Sequence, residues 1–104
     1  MRIVVVSGGF DPIHSGHIAY FKAARSHGDK LVIALNSDAW LENKKGKAFM
    51  PFHERKIIIE NLSFVDEVID FEDDDHGSCI KGLEKIKSMY PNEEIIFANG
   101  GDRN

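Results

Sequence analysis

Residues 2–17 read RIVVVSGGFDPIHSGH, and this stretch decides the fold class of the chain. The β-branched run at 2–6 predicts a strand that is buried on both faces, as the strands of parallel sheets are. The glycines and the proline that follow predict a tight loop. From His17 to about Ser26, the spacing of apolar and alanine residues predicts a helix. A strand, a glycine-rich loop and a helix in this order are typical of a parallel α/β sheet.

The remainder of the chain continues this alternation of strands and helices. We predict further strands at 30–36, 65–71 and 94–98, and helices that begin near Pro51 and near Ser78. Ile58 and Leu62 mark the expected buried face of the first of these helices, and the polar, lysine-rich segment 37–50 is expected to be a mobile loop. The predicted fold is a Rossmann-like α/β/α sandwich of three layers around a parallel sheet, in strand order 3-2-1-4-5.

Length, charge and cysteine content exclude several classes of protein. The 104 residues suffice for a single domain spanning 1–104 and leave little room for a second one. A formal net charge of −4 argues against a general nucleic-acid binder. No run of the sequence approaches the about 20 apolar residues of a membrane helix. The single cysteine, Cys79, leaves no internal disulfide framework, which predicts a reducing, cytoplasmic location.

The loop after the first strand carries the densest group of candidate functional residues. Loops that follow parallel strands gather at one edge of the sheet, where ligands bind. Glycines let a ligand approach the backbone, and the free amides at a helix start attract anions. His14 and His17 lie three residues apart across that helix start, so both imidazoles could donate to one phosphate group. The G-x-G-x-x-G spacing and the Gly-Lys-Ser/Thr element of two other phosphate-binding loops are both missing.

The segment GGFDPIHSGH at 8–17 resembles the H-x-G-H element of the nucleotidyltransferase superfamily. The segments GDKLVIALNSD, KGKAFMPFHERK and FVDEVI follow in the order found in small bacterial cytidylyltransferases, such as glycerol-3-phosphate cytidylyltransferase. The resemblance implies transfer of a nucleotidyl group from a nucleoside triphosphate to a phosphorylated small molecule, with release of pyrophosphate. Because the attacking phosphate is already ionised, such a reaction needs positioning and charge stabilisation rather than a protein general base.

The resemblance also implies roles for individual residues. Those expected to contact phosphate and to be catalytic are His14, His17, Lys47 and Arg55. Those expected to border the nucleotide are Ser7, Gly8, Gly9, Phe10, Gly16, Asn99 and Gly100. The acidic residues expected near the second substrate are Asp11, Asp38 and Asp102, with Asp11 alternatively holding the loop. Lys44 and Lys45 are weaker phosphate candidates, because a solvated lysine-rich face would look the same.

Metal and partner expectations follow from the same resemblance. Mg²⁺ is expected to accompany the triphosphate, with no metal site built from protein side chains. The run Asp73–Asp75 reads as a solvated acidic turn in preference to a metal cluster. The expected partners are CTP or ATP and a phosphorylated small molecule, with no nucleic acid and no membrane. The resemblance further implies a homodimer.

Three functional readings stay open at this point. The first is a cytidylyltransferase acting on a small phosphorylated alcohol. The second is an adenylyltransferase that uses ATP with a sugar phosphate or a cofactor precursor, because Phe10-Asp11-Pro12 also fits several adenylyltransferases. The third is a nucleotide-binding module without turnover, or a regulatory protein that reuses the fold. It is motivated by an expected lack of the family's C-terminal segment, which contains an Arg-Thr-x-Gly-Ile-Ser-Thr-like stretch.

Overall fold

Strands and helices alternate along the computed structural model, which describes residues 1–98. The first half of the chain forms β1 (Arg2–Gly8), α1 (Ser15–Arg25), β2 (Lys30–Leu35) and α2 (Asp38–Lys45). The second half forms α3 (Phe52–Glu60), β3 (Glu67–Ile69), α4 (Ile80–Met89) and β4 (Glu94–Phe97). No helix within residues 1–98 is both long and apolar enough to cross a membrane.

The sheet has four parallel strands in the order β3-β2-β1-β4. At its centre Val5 of β1 pairs with Val32 of β2 and with Phe97 of β4. The α/β class and the relative order of these four strands agree with the sequence prediction. The fifth strand of the predicted order 3-2-1-4-5 is not found among residues 1–98, so the described sheet is one strand smaller than expected.

Alternating residues of the central strands build a separate core on each face of the sheet. On one face Val4, Leu31 and Ile33 pack with Phe21 of α1 and Ile59 of α3. On the other face Ile3, Val32 and Ala34 pack with Phe71 and with Ile86 of α4. Strands that are buried on both faces are apolar throughout, which explains the continuous β-branched run at the start of the chain. The helices therefore cover both faces of the sheet.

The prediction that 37–50 is a loop is wrong, because residues 38–45 form α2. The Ser37 hydroxyl accepts a hydrogen bond from the Trp40 amide and caps the start of the helix. Gly46, with a φ of 92°, ends the helix in the left-handed region. Leu41 is the only residue of α2 that is fully buried, so the helix has hardly any apolar pattern from which to predict it.

Two further details of the helices differ from the prediction. α1 begins at Ser15, two residues earlier than predicted, because the side chain of His14 caps it. The buried face of α3 carries Arg55 and Ile59, whereas Ile58, predicted to be buried, is 36% exposed. A charged residue thus occupies a position in α3 that an apolar stripe would normally fill.

Candidate active site

The carboxyl ends of β1 and β2 carry two chain segments that meet at one edge of the sheet. The first, called here the histidine loop, comprises residues 8–17. The second, called the lysine segment, comprises residues 44–51. Parallel α/β sheets bind ligands at this edge. The two segments therefore contain the side chains whose geometry decides what the protein can bind.

His14 and His17 form the cap of α1 and fix each other's position. His14 is the N-cap residue, in an extended conformation, and its Nδ1 accepts a hydrogen bond from the Gly16 amide at 3.1 Å. The Nδ1 of His17 accepts one from the His14 amide at 3.2 Å, which completes a capping box. The two rings stack with their centroids 4.0 Å apart and their planes at 30°.

This capping arrangement determines which nitrogen of each ring carries the proton. A neutral imidazole has one donor and one acceptor nitrogen. Because Nδ1 of His14 and Nδ1 of His17 both accept backbone amides, the proton of each neutral ring resides on Nε2. The stacked rings thus carry two N–H donors at the positive end of a helix, a combination suited to binding an anion.

Glycines in the histidine loop make room for this arrangement. A Cβ on Gly16 would lie 2.9 Å from Cε1 of His14, and one on Gly8 would lie 2.8 Å from Cζ of Phe10. Phe10 is buried and contacts both His17 and Phe21 edge-on, with centroid distances of 5.1 and 4.9 Å. Phe10 therefore packs between the His17 ring and the core. Its role at the nucleotide, like that of Gly8 and Gly16, stays a prediction.

The side chain of Arg55, which the sequence analysis expected to face phosphate, makes its contacts inside the protein. Its side chain is fully buried and donates to three backbone carbonyls, those of Met50 (3.0 Å), Gly9 (2.8 Å) and Asn36 (2.9 Å). Its Nη2 also forms an ion pair with Asp38 at 2.7 Å. Four of the five guanidinium hydrogens are thereby committed inside the protein. In this structure Arg55 joins the histidine loop, the end of β2 and the lysine segment.

Asp11, in the histidine loop, also links that loop to the lysine segment. Its fully buried carboxylate accepts hydrogen bonds from the amides of Phe49 and Met50, both at 2.7 Å, and contacts Lys45 at 3.1 Å. Burial raises the pKa of Asp11, but the Phe49 and Met50 amides and Lys45 outweigh that effect and leave the pKa below its ordinary value. Of the two roles considered for Asp11, holding the loop matches these contacts.

The remaining predicted residues occupy more open positions. Asp38 is 42% exposed although it pairs with Arg55. Lys47 is exposed, with its Nζ 6.0 Å from the centre of the Phe49 ring. Lys44 lies over the Trp40 ring at 5.0 Å, and Lys45 donates to the Asp11 carbonyl at 2.6 Å. The lysine segment thus offers positive charge close to the histidine loop, with Lys45 the most firmly held of the three lysines.

Two nucleotide-bordering candidates lie at the end of β1, and three site candidates cannot be placed. Ser7 pairs with Ala34 of β2, and a Cβ on Gly9 would lie 2.6 Å from Cδ2 of Leu41. The residues Asn99, Gly100 and Asp102 lie outside the described residues, so their predicted roles stay predictions.

The acidic turn at 72–78 is held to α2 by side-chain hydrogen bonds. The Ser37 hydroxyl donates to Asp73 at 2.7 Å, and Nε1 of Trp40 donates to the Gly77 carbonyl at 2.8 Å. Asp74 accepts from the Ser78 hydroxyl and from the amides of Ser78 and His76, which lowers its pKa to about 2. Across residues 1–98 no group of three or more His, Cys, Asp or Glu side chains could hold a metal ion.

Sequence reasoning missed the structural roles of Asn36 and Trp40. Asn36 is buried where β2 ends, and its backbone bonds to both Gly8 and Arg55. The position of Trp40 could not be predicted, because the sequence analysis expected a loop where the structure has α2. A serine cap at 37 and a glycine at 46 were the available signals for that helix.

A parallel sheet with paired imidazole donors and a glycine-rich loop at its carboxyl edge defines a nucleotide-binding α/β domain. The sequence profile of the cytidylyltransferase-like family matches residues 5–102, and the chain belongs to this family. It is therefore a member of the nucleotidyltransferase superfamily.

Relatives of known sequence support this assignment. The chain is 37% identical to the bifunctional protein HldE of Enterobacter sp. strain 638, over an alignment that covers 97% of this chain. It is equally similar to the HldE protein of Salmonella arizonae. The chain spans about a quarter (24%) of the length of these curated relatives.

Solved structures show the same fold. A lipopolysaccharide core biosynthesis protein from Thermoplasma volcanium superimposes with a TM-score of 0.72 at 23% identity, covering 98% of this chain and 99% of that one. A protein of unknown function from Archaeoglobus fulgidus gives a TM-score of 0.57 at 18% identity, covering 100% of this chain and 93% of the other. At these identities the likeness supports the fold alone.

Proposed function

We propose that this chain catalyses nucleotidyl transfer from a nucleoside triphosphate to a phosphorylated small molecule. Pyrophosphate is the second product. The observation that carries the proposal is the pair of stacked imidazoles at the start of α1, each with Nδ1 occupied by a backbone amide. Their Nε2–H donors suit an anion whose charge grows during the reaction, and they are already in place before it begins.

The proposed reaction is a displacement at the α-phosphorus of the triphosphate. An oxygen of the acceptor phosphate forms a new bond to that phosphorus. The bond from phosphorus to the oxygen bridging the α- and β-phosphates breaks, and its electron pair leaves with pyrophosphate. His14 and His17 would donate to the oxygens around this bridge, where negative charge develops. Lys47 would neutralise phosphate charge from the lysine segment, where its side chain is exposed.

Arg55 and Asp11 take positioning roles in this proposal. Each fixes the histidine loop relative to the lysine segment through buried hydrogen bonds. Reacting groups must be held within a fraction of an ångström of the productive geometry for such a reaction to be fast. Neither side chain needs to contact phosphate for its loss to slow the transfer.

Mg²⁺ is proposed to enter with the triphosphate. In the described part of the chain Asp11 is committed to backbone amides and Asp38 is paired with Arg55, so no assembled carboxylate site fits the ion. Phosphate oxygens and water would supply most of its ligands, as is usual for this ion. When bound, Mg²⁺ would offset part of the triphosphate charge.

The finer assignment within this proposal is CTP as nucleotide and a small phosphorylated alcohol as acceptor. It rests on the resemblance of residues 8–17, 28–38, 45–56 and 64–69 to small cytidylyltransferases. ATP with a sugar phosphate is the alternative, supported by Phe10-Asp11-Pro12. A homodimer is part of the proposal, and sedimentation velocity of the full chain tests it.

Pyrophosphate release tests the function directly. The full chain is incubated with Mg²⁺, with CTP or ATP, and with glycerol 3-phosphate, ethanolamine phosphate, choline phosphate or a hexose 1-phosphate in turn. We expect release that depends on both substrates and falls by about 10²–10³-fold in His14→Ala and in His17→Ala. Nucleotide binding without release under every condition would favour the module without turnover. Release that survives both substitutions would contradict the proposed site.

A further inference from the structure

Asn36 is a buried polar residue whose side chain has no hydrogen-bond partner among residues 1–98. It is 4% exposed, and it and Arg55 are the two polar or charged residues that are buried as whole residues in the described part of the chain. The backbone of Asn36 is fully used: its amide donates to the Gly8 carbonyl at 2.9 Å, and its carbonyl accepts from Arg55 at 2.9 Å. Its carboxamide, with two donor hydrogens and one acceptor oxygen, forms no hydrogen bond within residues 1–98.

An unpaired buried amide is unfavourable for folding. Nearly all buried polar side chains in native proteins have a hydrogen-bond partner, because removing an amide from water without a replacement bond destabilises the fold. An apolar residue of similar size would fill the same space without that penalty. Keeping an asparagine at this position therefore calls for a partner that is not part of the free chain.

The position of Asn36 indicates which partner this is. Along β2 the side chains alternate, so that Leu31, Ile33 and Leu35 join the core under α1 and α3, whereas Val32 and Ala34 join the core under α4. The hydrogen bond from the Asn36 amide to Gly8 continues the strand ladder by one residue. Asn36 accordingly follows Ala34 on the α4 face.

His14 and His17 lie on the opposite side of the sheet edge. They begin α1, whose Phe21 and Ala24 pack on the other core. In the proposed reaction the attacking and leaving oxygens lie roughly in line on opposite sides of the α-phosphorus. With the imidazoles at the leaving pyrophosphate, the attacking group enters from the side of Asn36.

We propose that the Asn36 carboxamide hydrogen-bonds the phosphorylated acceptor, and that Asn36 is a specificity-determining residue for it. This inference rests on the proposed function. A carboxamide suits a phosphorylated alcohol or sugar, because its NH₂ donates to phosphate oxygens and its oxygen accepts from a hydroxyl. The lysine side chains of the lysine segment, by contrast, can only donate. Asn36 thus adds the ability to recognise a hydroxyl group.

The first test observes the carboxamide itself by NMR on the uniformly ¹⁵N-labelled full chain. The Asn36 side-chain NH₂ resonances are followed on addition of the acceptor that supports pyrophosphate release. If none does, glycerol 3-phosphate and a hexose 1-phosphate serve as probes. We expect these resonances to shift with the acceptor and not with CTP or ATP alone. No shift with the acceptor, or a shift with nucleotide alone, would overturn the proposal.

The second test separates binding from stability with Asn36→Leu, an apolar substitution of similar size. We expect an unchanged or raised Tm, a KM for the acceptor that rises by about tenfold or more, and a KM for the nucleotide that changes by less than about twofold. Asn92→Leu, at the opposite edge of the sheet between α4 and β4, is the matched control and should leave both KM values unchanged.

The outcomes distinguish this inference from the proposed function. A lowered Tm for Asn36→Leu would show that the carboxamide is bonded in the free protein, which overturns the inference, as would an unchanged acceptor KM. If the wild-type chain releases no pyrophosphate, the proposed function fails. The NMR shift with a phosphorylated alcohol or sugar then decides the binding role of Asn36 on its own, without turnover and without any variant.

Discussion

The histidine loop and the lysine segment meet at one edge of the sheet, yet they are held in place by different means. In the histidine loop, Phe10 is buried and both imidazoles accept backbone amides, so packing and capping fix the side chains themselves. In the lysine segment the backbone is fixed by Asp11 and Arg55, while Lys47 stays exposed. The first segment thus supplies donors of set direction, and the second supplies charge.

This difference indicates how strongly each segment should respond to substitution. A donor that is already oriented stabilises a transition state without reorganising, so its loss slows the reaction strongly. An exposed lysine is hydrated and screened, so its contribution is smaller and depends on salt. Substitutions in the two segments should therefore separate effects on activity from effects on stability.

The largest effect is expected from His14→Asn. Asparagine is a good N-cap residue, so the start of α1 keeps an acceptor for the Gly16 amide. The Nε2–H donor is lost, however, and we expect kcat/KM for pyrophosphate release to fall by about 10²–10³-fold. The free energy of unfolding in urea should change by less than about 0.5 kcal/mol.

His14→Ala is the matched comparison for that substitution. It removes the donor and the cap together, so it should lose the same activity and an additional ~1 kcal/mol of unfolding free energy. If His14→Asn retained wild-type activity, the ring would serve only as a cap, and the proposed contact with the triphosphate would be wrong.

Arg55→Met should produce the largest loss of stability. The substitution leaves the carbonyls of Gly9 and Asn36 and the Asp38 carboxylate without their partner. We therefore expect the free energy of unfolding to fall by about 3 kcal/mol. Lys56→Met, one residue further along α3, removes only an exposed pair with Glu60 and should change stability by less than about 0.5 kcal/mol. Urea denaturation of both variants gives the comparison.

The same pair of variants decides between two roles for Arg55. A stable but inactive Arg55→Met protein would support the phosphate contact that the sequence suggested. A destabilised protein supports the structural role that its buried hydrogen bonds indicate. Arg55→Lys is a third variant for the same stability measurement, because one ammonium group cannot reproduce the planar set of donors that bonds to three carbonyls and a carboxylate.

The contribution of Asp11 should depend on pH. Since the pKa of Asp11 is lowered in the folded protein, its ionised form stabilises the fold at every pH above the ordinary pKa of an aspartate, about 3.9. That contribution is lost as the pH falls through the lower pKa of the folded state. The free energy of unfolding of Asp11→Asn should be about 1–2 kcal/mol below that of wild type at pH 7, and this difference should shrink below about pH 4.

Asp70→Asn is the control for this pH dependence. Lys85 also lowers the pKa of Asp70, but that side chain is 74% exposed, so solvent screens the pair and the change at pH 7 should stay within about 0.5 kcal/mol. Equal losses for the two variants would mean that the buried amide contacts of Asp11 contribute nothing beyond an ordinary surface charge.

The parts of the fold that could be predicted from sequence are those with a strong local pattern. The strands at 2–6, 30–36 and 94–98 are short apolar runs between polar segments, and such runs also fix the parallel architecture. α2 was missed because a short helix with one buried residue carries almost no periodicity. The capping role of His14 follows the spacing of a capping box, with histidines in place of the usual residues.

The interior roles of Arg55 and Asn36 had no such local signal. An arginine in a helix ordinarily lies on the surface, and nothing near Arg55 in the sequence shows that the distant carbonyls of Gly9 and Asn36 converge on it. The unpaired carboxamide of Asn36 likewise becomes visible only when the surrounding structure is known. The roles of polar residues whose partners are far away in the chain therefore cannot be predicted from periodicity and motifs.

Two glycines, one from each segment of the site, give a further comparison. Gly46 has a φ of 92°, and a Cβ added there would meet no atom within 4 Å. The effect of Gly46→Ala therefore comes from backbone conformation, and the free energy of unfolding should fall by about 1 kcal/mol. Gly8 lies in a strand, but a Cβ there would meet the buried Phe10 ring at 2.8 Å, so Gly8→Ala is limited by packing and should lose about 1–3 kcal/mol.

Asparagine at the same two positions separates these causes. Asparagine tolerates the left-handed region, so Gly46→Asn should be milder than Gly46→Ala. At position 8 the larger side chain increases the overlap with Phe10, so Gly8→Asn should be worse than Gly8→Ala. Thermal unfolding of the four variants measures both orders. The same order at both positions would mean that one constraint governs both glycines, and the contrast between a packed histidine loop and a backbone-limited lysine segment would then be wrong.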